Sequence, residues 1–154
     1  MKSRNFAALM IAAIVCVCAS IASAQTKPDF SGTWKMNREK SKFERGGPDA
    51  ILIKIDHKEP TFVEEWSMST PNGDRSFQAK YTTDGKETEQ EVMGRAAKTS
   101  AKWEGDALVI EFKEGGGFFK RKITLSADGK TITKAVTQSR DGEQSEDTVV
   151  FEKQ

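Results

Sequence analysis

The residues able to do chemistry in this chain are few, and most fall on one two-residue rhythm. There is a single histidine, His57, and the only cysteines, Cys16 and Cys18, sit in an apolar run near the N-terminus. One histidine excludes a multi-histidine metal centre, and any metal at His57 would need carboxylate help. No cysteine follows residue 18, no serine sits in a nucleophile-elbow setting, and no Ser–His–Asp arrangement is indicated around His57. The expectation is therefore a protein that is not an enzyme and needs neither metal nor cofactor. What remains is a set of polar side chains sharing strand parity with large apolar ones: His57, Glu64, Tyr81, Thr88, Gln90, Thr99, Arg121, Lys134 and Asp147. Phe62 and Trp66 flank Glu64, Phe119 and Ile123 flank Arg121, and Ile132 and Val136 flank Lys134, so counting by two places each charge on an apolar face.

A buried charge must be paired, reach water or face a ligand, because left alone it costs several kcal/mol. Two readings satisfy that rule. In the first, Arg121 and Lys134 anchor a carboxylate in a pocket walled by Trp66, Phe77, Ile110, Phe112 and Phe119, with Tyr81 and Glu64 as further candidate ligand-binding residues. In the second, Asp147 forms an internal ion pair with the two cations, and large inward residues (Trp34, Trp66, Trp103, Phe62, Phe77) fill the interior completely. The expected ligand is a small hydrophobic or anionic amphipathic molecule; the alternative is a filled-core barrel acting as an interaction or structural protein. His57 reads as a satisfied residue near a strand end.

The elements that must position these residues are strands. From Ala50 onward, strand-like runs alternate with Asn72-Gly73, Asp84-Gly85, Gly105-Asp106, Asp128-Gly129 and Asp141-Gly142, the dipeptides that tolerate positive φ in tight hairpins. Each turn imposes a register. Asn72-Gly73 pairs Met68 with Phe77 and Trp66 with Ala79; Asp84-Gly85 pairs Phe77 with Val92; Gly105-Asp106 pairs Trp103 with Leu108. Asp128-Gly129 pairs Leu125 with Ile132, Asp141-Gly142 pairs Lys134 with Val149, and a bend at Glu59-Pro60 pairs Ile53 with Trp66. All six place apolar residues on one face. These registers predict two polar patches, one from Glu64 opposite Tyr81 opposite Thr88, the other from Arg121, Lys134 and Asp147. A ten-run meander with one apolar face buries it by closing, so the fold class is all-β, a single antiparallel up-and-down barrel of about eight to ten strands. Gly115-Gly116-Gly117 reads as a loop tip or a strand gap near the rim.

The first strand carries the most specific pattern. Phe30, Gly32, Trp34 and Met36 share one face, and a glycine two residues before a tryptophan allows close approach while the indole plugs a barrel end. Asp29-Phe30-Ser31-Gly32-Thr33-Trp34-Lys35-Met36 resembles the Gly-x-Trp opening of the calycin superfamily, the lipocalins and fatty-acid-binding proteins. The resemblance implies a lipocalin-like barrel binding a hydrophobic ligand non-covalently. It also implies a basic side chain, Lys153 or Arg140, laid across Trp34 where the first and last strands meet. In fatty-acid-binding proteins a helix-turn-helix lid follows this strand. Here Arg38 to Asp49 is charged, contains Gly46-Gly47-Pro48 and has room for about one helical turn, a flap at most.

Ahead of the domain, Lys2 and Arg4, the apolar run from Phe6 to Cys18 and Ala22-Ser23-Ala24 make a secretory signal peptide over residues 1–24. The barrel is then residues 25–154, secreted or periplasmic and without a disulfide. Losing Lys2 and Arg4 from 24 basic residues leaves 22 against 23 acidic ones. A near-neutral, interleaved balance argues against nucleic acid or an anionic membrane surface as partner; no membrane insertion is expected, and a monomer is.

Overall fold

The computed structural model describes residues 26–92, 94–140 and 142–154; the signal-peptide expectation over residues 1–24 lies outside the described residues. Ten strands follow one another: β1 (Gly32–Met36), β2 (Ala50–Lys58), β3 (Thr61–Thr70), β4 (Gly73–Thr82), β5 (Thr88–Val92), β6 (Arg95–Glu104), β7 (Ala107–Glu114), β8 (Gly117–Leu125), β9 (Thr131–Arg140) and β10 (Glu143–Lys153). They form one antiparallel sheet in the order β4-β3-β2-β1-β10-β9-β8-β7-β6-β5. Pairing of β1 with β10 joins the first and last strands, so the sheet curls into a nearly closed barrel whose free edges are β4 and β5.

Alternation explains which residues face inward. In β2, Ile51, Ile53, Ile55 and His57 are buried while the residues between them are exposed, the pattern of a sheet with one face on a core. Four predicted registers hold: Trp103 faces Leu108, Leu125 faces Ile132, Lys134 faces Val149 and Ile53 faces Trp66. Gly115 and Gly116 turn the chain between Glu114 and Gly117, as a loop tip.

Two registers need correction. The β3–β4 hairpin pairs Thr70 with Gly73, so its loop is Pro71-Asn72 and Trp66 faces Phe77 rather than Ala79. The shift is by two residues, which keeps every side chain on its expected face; Gly73 still takes the positive φ of 106°. The Asp84-Gly85 hairpin does not zip at all. Gly85 N–H donates to Ala101 O at 2.8 Å and Asp84 bridges Lys102, so this turn leans on β6 and Phe77 does not pair with Val92. Between β4 and β5 the Gln90 carboxamide replaces a ladder, donating to Lys80 O at 2.9 Å and accepting from Lys80 N–H at 3.4 Å.

The chain from Arg38 to Asp49 forms no helix and no free flap. It runs as a strap on β10 beyond the short β1, with Lys42 and Thr148 exchanging backbone bonds of 2.7 and 2.9 Å. The Ser41 hydroxyl accepts from Val150 N–H, and Asp147 Oδ1 accepts from Glu44 N–H. Phe43 packs against the core from this strap, and a side chain at Gly47 would collide with its ring at 2.5 Å.

The barrel end beside β1 is filled. Trp34 is fully buried, its indole N–H donating to Phe30 O at 2.9 Å, and Phe30 stacks on Trp103 at 5.9 Å. Lys153 Nζ lies 5.2 Å from the Trp34 ring centroid, the predicted basic cover. Gly32 explains the motif: a Cβ there would come within 2.9 Å of Lys153 Cε at a φ of 136°, a backbone region that only glycine adopts freely. Trp34→Ala is expected to cost about 3–5 kcal/mol through the cavity left at this closure, read as a lowered denaturant midpoint; an unchanged midpoint would place the indole outside the core.

Candidate functional site

Inside the other half of the barrel, alternation on four strands aims polar groups, three of them charged, at one point. Glu64 on β3, Arg121 on β8 and Lys134 on β9 are all buried, at 0, 4 and 1% exposure. Glu64 Oε2 accepts from Arg121 Nη2 at 2.7 Å and Glu64 Oε1 accepts from Lys134 Nζ at 2.6 Å. Arg121 Nη2 also donates to the Tyr81 hydroxyl at 3.1 Å. The two predicted patches are therefore one cluster. Glu64 does not oppose Tyr81 along the sheet; its neighbour is Ala79, Tyr81 faces Phe62, and Thr88 pairs with Thr99 at the β4–β5 opening. Asp147 is not the partner of the cations, since its carboxylate is half-buried under the strap and serves Glu44.

One carboxylate between two cations sets the electrostatics. Burial pushes the Glu64 carboxyl up, but the charges and hydrogen bonds of Arg121 and Lys134 outweigh it and hold it down at about 2. Burial dominates at Lys134: despite Glu64, and with Arg121 adding repulsion, its ammonium falls to about 8. Burial likewise raises the Tyr81 phenol, keeping it a neutral hydroxyl. Aromatic faces supply further stabilisation. Lys134 Nζ sits 4.3 Å from the Trp66 ring centroid, and the Arg121 guanidinium lies 5.2 to 5.9 Å from the rings of Trp66, Phe112 and Phe119.

Above the cluster lies a cavity of about 430 Å³, within the range of small-molecule sites. Its walls include Trp66, Phe77, Phe112 and Phe119, with Arg121 among the lining residues; Trp66 stacks on Phe77 at 5.6 Å and 10°. The wholly filled interior is thus corrected: the Trp34 end is packed solid and the Arg121 end is hollow. Two buried donors in this lining, Arg121 Nε and Trp66 Nε1, have no hydrogen-bond partner among the described residues. Such groups are rare in folded proteins and costly when left unsatisfied. Of the expected site residues, Glu64, Trp66, Tyr81, Arg121 and Lys134 come together, and Phe77 and Phe119 wall the space beside them. Gly32 and Trp34 lie at the filled end. His57 is there too, satisfied on both nitrogens: Nδ1 accepts from Phe30 N–H at 3.3 Å and Nε2 pairs with Glu59 Oε1 at 2.9 Å.

Sequence reasoning missed Arg75 and Arg95, which line the same cavity. The signal was present, because Arg75 stands two residues before inward Phe77 and Arg95 two before inward Ala97.

The cluster makes unequal demands of its members. Glu64→Gln leaves two buried cations without their counter-charge and is expected to cost about 3–5 kcal/mol in denaturant unfolding. Lys134→Met leaves a balanced Glu64–Arg121 pair and should cost far less. Lys134 has a lower pKa folded than unfolded, so between about 8 and its ordinary 10.5 the unfolded chain holds the extra proton and stability rises with pH. That rise should vanish in Lys134→Met. Glu64, depressed to about 2 from 4.5, stabilises above its unfolded value and loses that contribution as pH falls through its folded one.

No family model matches the chain, and no curated protein matches its sequence. Solved structures do. Fluorescent protein UnaG aligns with 17% identity over 81% of this chain and 97% of its own, at a TM-score of 0.61. The zebrafish ileal bile acid-binding protein complexed with cholic acid aligns with 20% identity over 81% of this chain and 98% of its own, at 0.59. Human cRBP IV aligns with 18% identity over 83% of this chain and the whole of its own, at 0.59. At these identities the likeness is one of architecture, and it agrees with the Gly32-Thr33-Trp34 opening: this chain has the ten-stranded, nearly closed antiparallel barrel fold that these proteins share.

Proposed function

We propose that this protein is a non-enzymatic carrier that binds a small hydrophobic or amphipathic molecule inside the barrel, with Arg121 anchoring an anionic group of that ligand. The observation that carries the reading is the unpartnered Arg121 Nε, buried in the lining of an aromatic-walled cavity of about 430 Å³. The Glu64–Lys134 contact matters to it. Lys134 balances the Glu64 charge, so Arg121 remains as the cation in excess and faces the cavity. A ligand carboxylate in this cavity would supply the missing negative charge. A bile acid-binding protein and a fatty acid transporter among solved structures of this fold support the class of ligand. We place the carrier outside the cytoplasm, as a secreted or periplasmic monomer of residues 25–154, on the strength of Lys2 and Arg4, the apolar run from Phe6 to Cys18 and Ala22-Ser23-Ala24.

Arg121→Met keeps much of the side-chain volume and leaves Glu64 paired with Lys134, while removing the planar donor. Fatty-acid affinity is expected to fall by about 1.5–3 kcal/mol, roughly ten- to a hundredfold, with an uncharged analogue hardly affected. A fluorescent fatty-acid titration of the wild type with no saturable binding would end the carrier reading. N-terminal sequencing of exported protein should begin at Gln25; an intact Met1 would overturn the placement.

A further inference from the structure

The cavity carries charge at its mouth as well as at its floor. Arg75 on β4 and Arg95 on β6 line it and are exposed at its outer end. Both share the inward parity of their strands, Arg75 with Phe77 and Ala79, Arg95 with Ala97 and Thr99. Arg95 pairs through Nη1 with Glu114 Oε1 at 3.3 Å, across side chains 58 and 45% exposed, which leaves most of its guanidinium donors open. Arg75 has no acidic partner among the described residues, since the adjacent Asp74 accepts from Ser69 Oγ at 2.8 Å. The charged lining is thus three arginines against one acid, Glu114. A monoanion bound at Arg121 would leave the mouth with positive charge unanswered.

We propose that the ligand has a second anionic group, held at the cavity mouth by Arg75 and Arg95, so that the site selects a dianionic amphiphile over a monoanionic one. This rests on the reading that Arg121 holds the first anion. Arg75 lies one inward position beyond Phe77, about 7 Å along the strand, and Arg95 one beyond Ala97. An apolar body between Trp66, Phe77 and Phe119 would therefore present its far end to both guanidinium groups. The planar forks suit a carboxylate, and being at the mouth they act on a group that keeps part of its hydration, so their contribution is moderate and weakened by salt. The competing account of Arg75 is that an inward charge on the free edge strand β4 discourages edge-to-edge pairing, which predicts no preference among ligands.

Calorimetric titrations with dodecanoic and dodecanedioic acid, at neutral pH and low ionic strength, separate these accounts. The diacid is expected to bind the wild type about tenfold more tightly. In the Arg75→Gln, Arg95→Gln double variant that advantage should disappear, the diacid losing about tenfold more affinity than dodecanoic acid does, with the denaturant midpoint unchanged. Equal affinities in the wild type, or an advantage that survives in the double variant, would overturn the second anion site while leaving the Arg121 anchor standing. Saturable binding of neither acid would overturn both.

Discussion

The interior depends on one buried carboxylate. Among the described residues Glu64 is the single acid in contact with Arg121 and Lys134, and each of its oxygens is committed to one of them. Removing a carboxylate from water is expensive, and only the paired, hydrogen-bonded arrangement offsets that cost. The contact also ties β3 to β8 and β9 across the barrel, where no backbone ladder can reach. It therefore acts as a cross-brace and as a device that positions a guanidinium for use.

That brace explains why the two halves of the barrel differ. At the Trp34 end the polar groups are neutral or self-satisfied: the indole finds the Phe30 carbonyl, His57 finds Phe30 N–H and Glu59, and Trp103 N–H finds Glu59. Aromatic rings can close on one another there without leaving a donor behind. At the Arg121 end only Nη2 of the guanidinium meets Glu64 and Tyr81, Nε finds no acceptor among the described residues, and rings stand around the group rather than over all of it. Surplus donors against apolar walls are the conditions under which an interior keeps space for a polar-headed molecule.

The edges follow a similar economy. β4 and β5 form no ladder with each other, yet Gln90 presents an amide to Lys80 as a strand neighbour would, and the Asp84-Gly85 turn is held by β6. The strap from Arg38 to Asp49 does comparable service on β10, where β1 is too short to cover the strand. In both places a connection too irregular for a strand satisfies backbone groups that would otherwise be an open edge.

The sequence by itself determined the meander of strands, most of the inward set and most registers, because a two-residue period and a two-residue turn are local constraints that leave little choice. Glycine at position 32 and tryptophan at 34 were legible for the same reason, since close approach of Lys153 needs a residue without a Cβ. Where a local signal was ambiguous it failed locally: Pro71-Asn72 competed with Asn72-Gly73, and the Asp84-Gly85 dipeptide could not reveal that its strands would splay. The partnership of Glu64 with Arg121 and Lys134 was of another kind. These residues are 57 and 70 positions apart and on strands that are not neighbours, so pairing rules along the sheet pointed to Asp147 instead. Only curling of the sheet into a barrel sets β3 facing β8 and β9, and only that closure decided which acid the buried cations would share and where a hollow would remain.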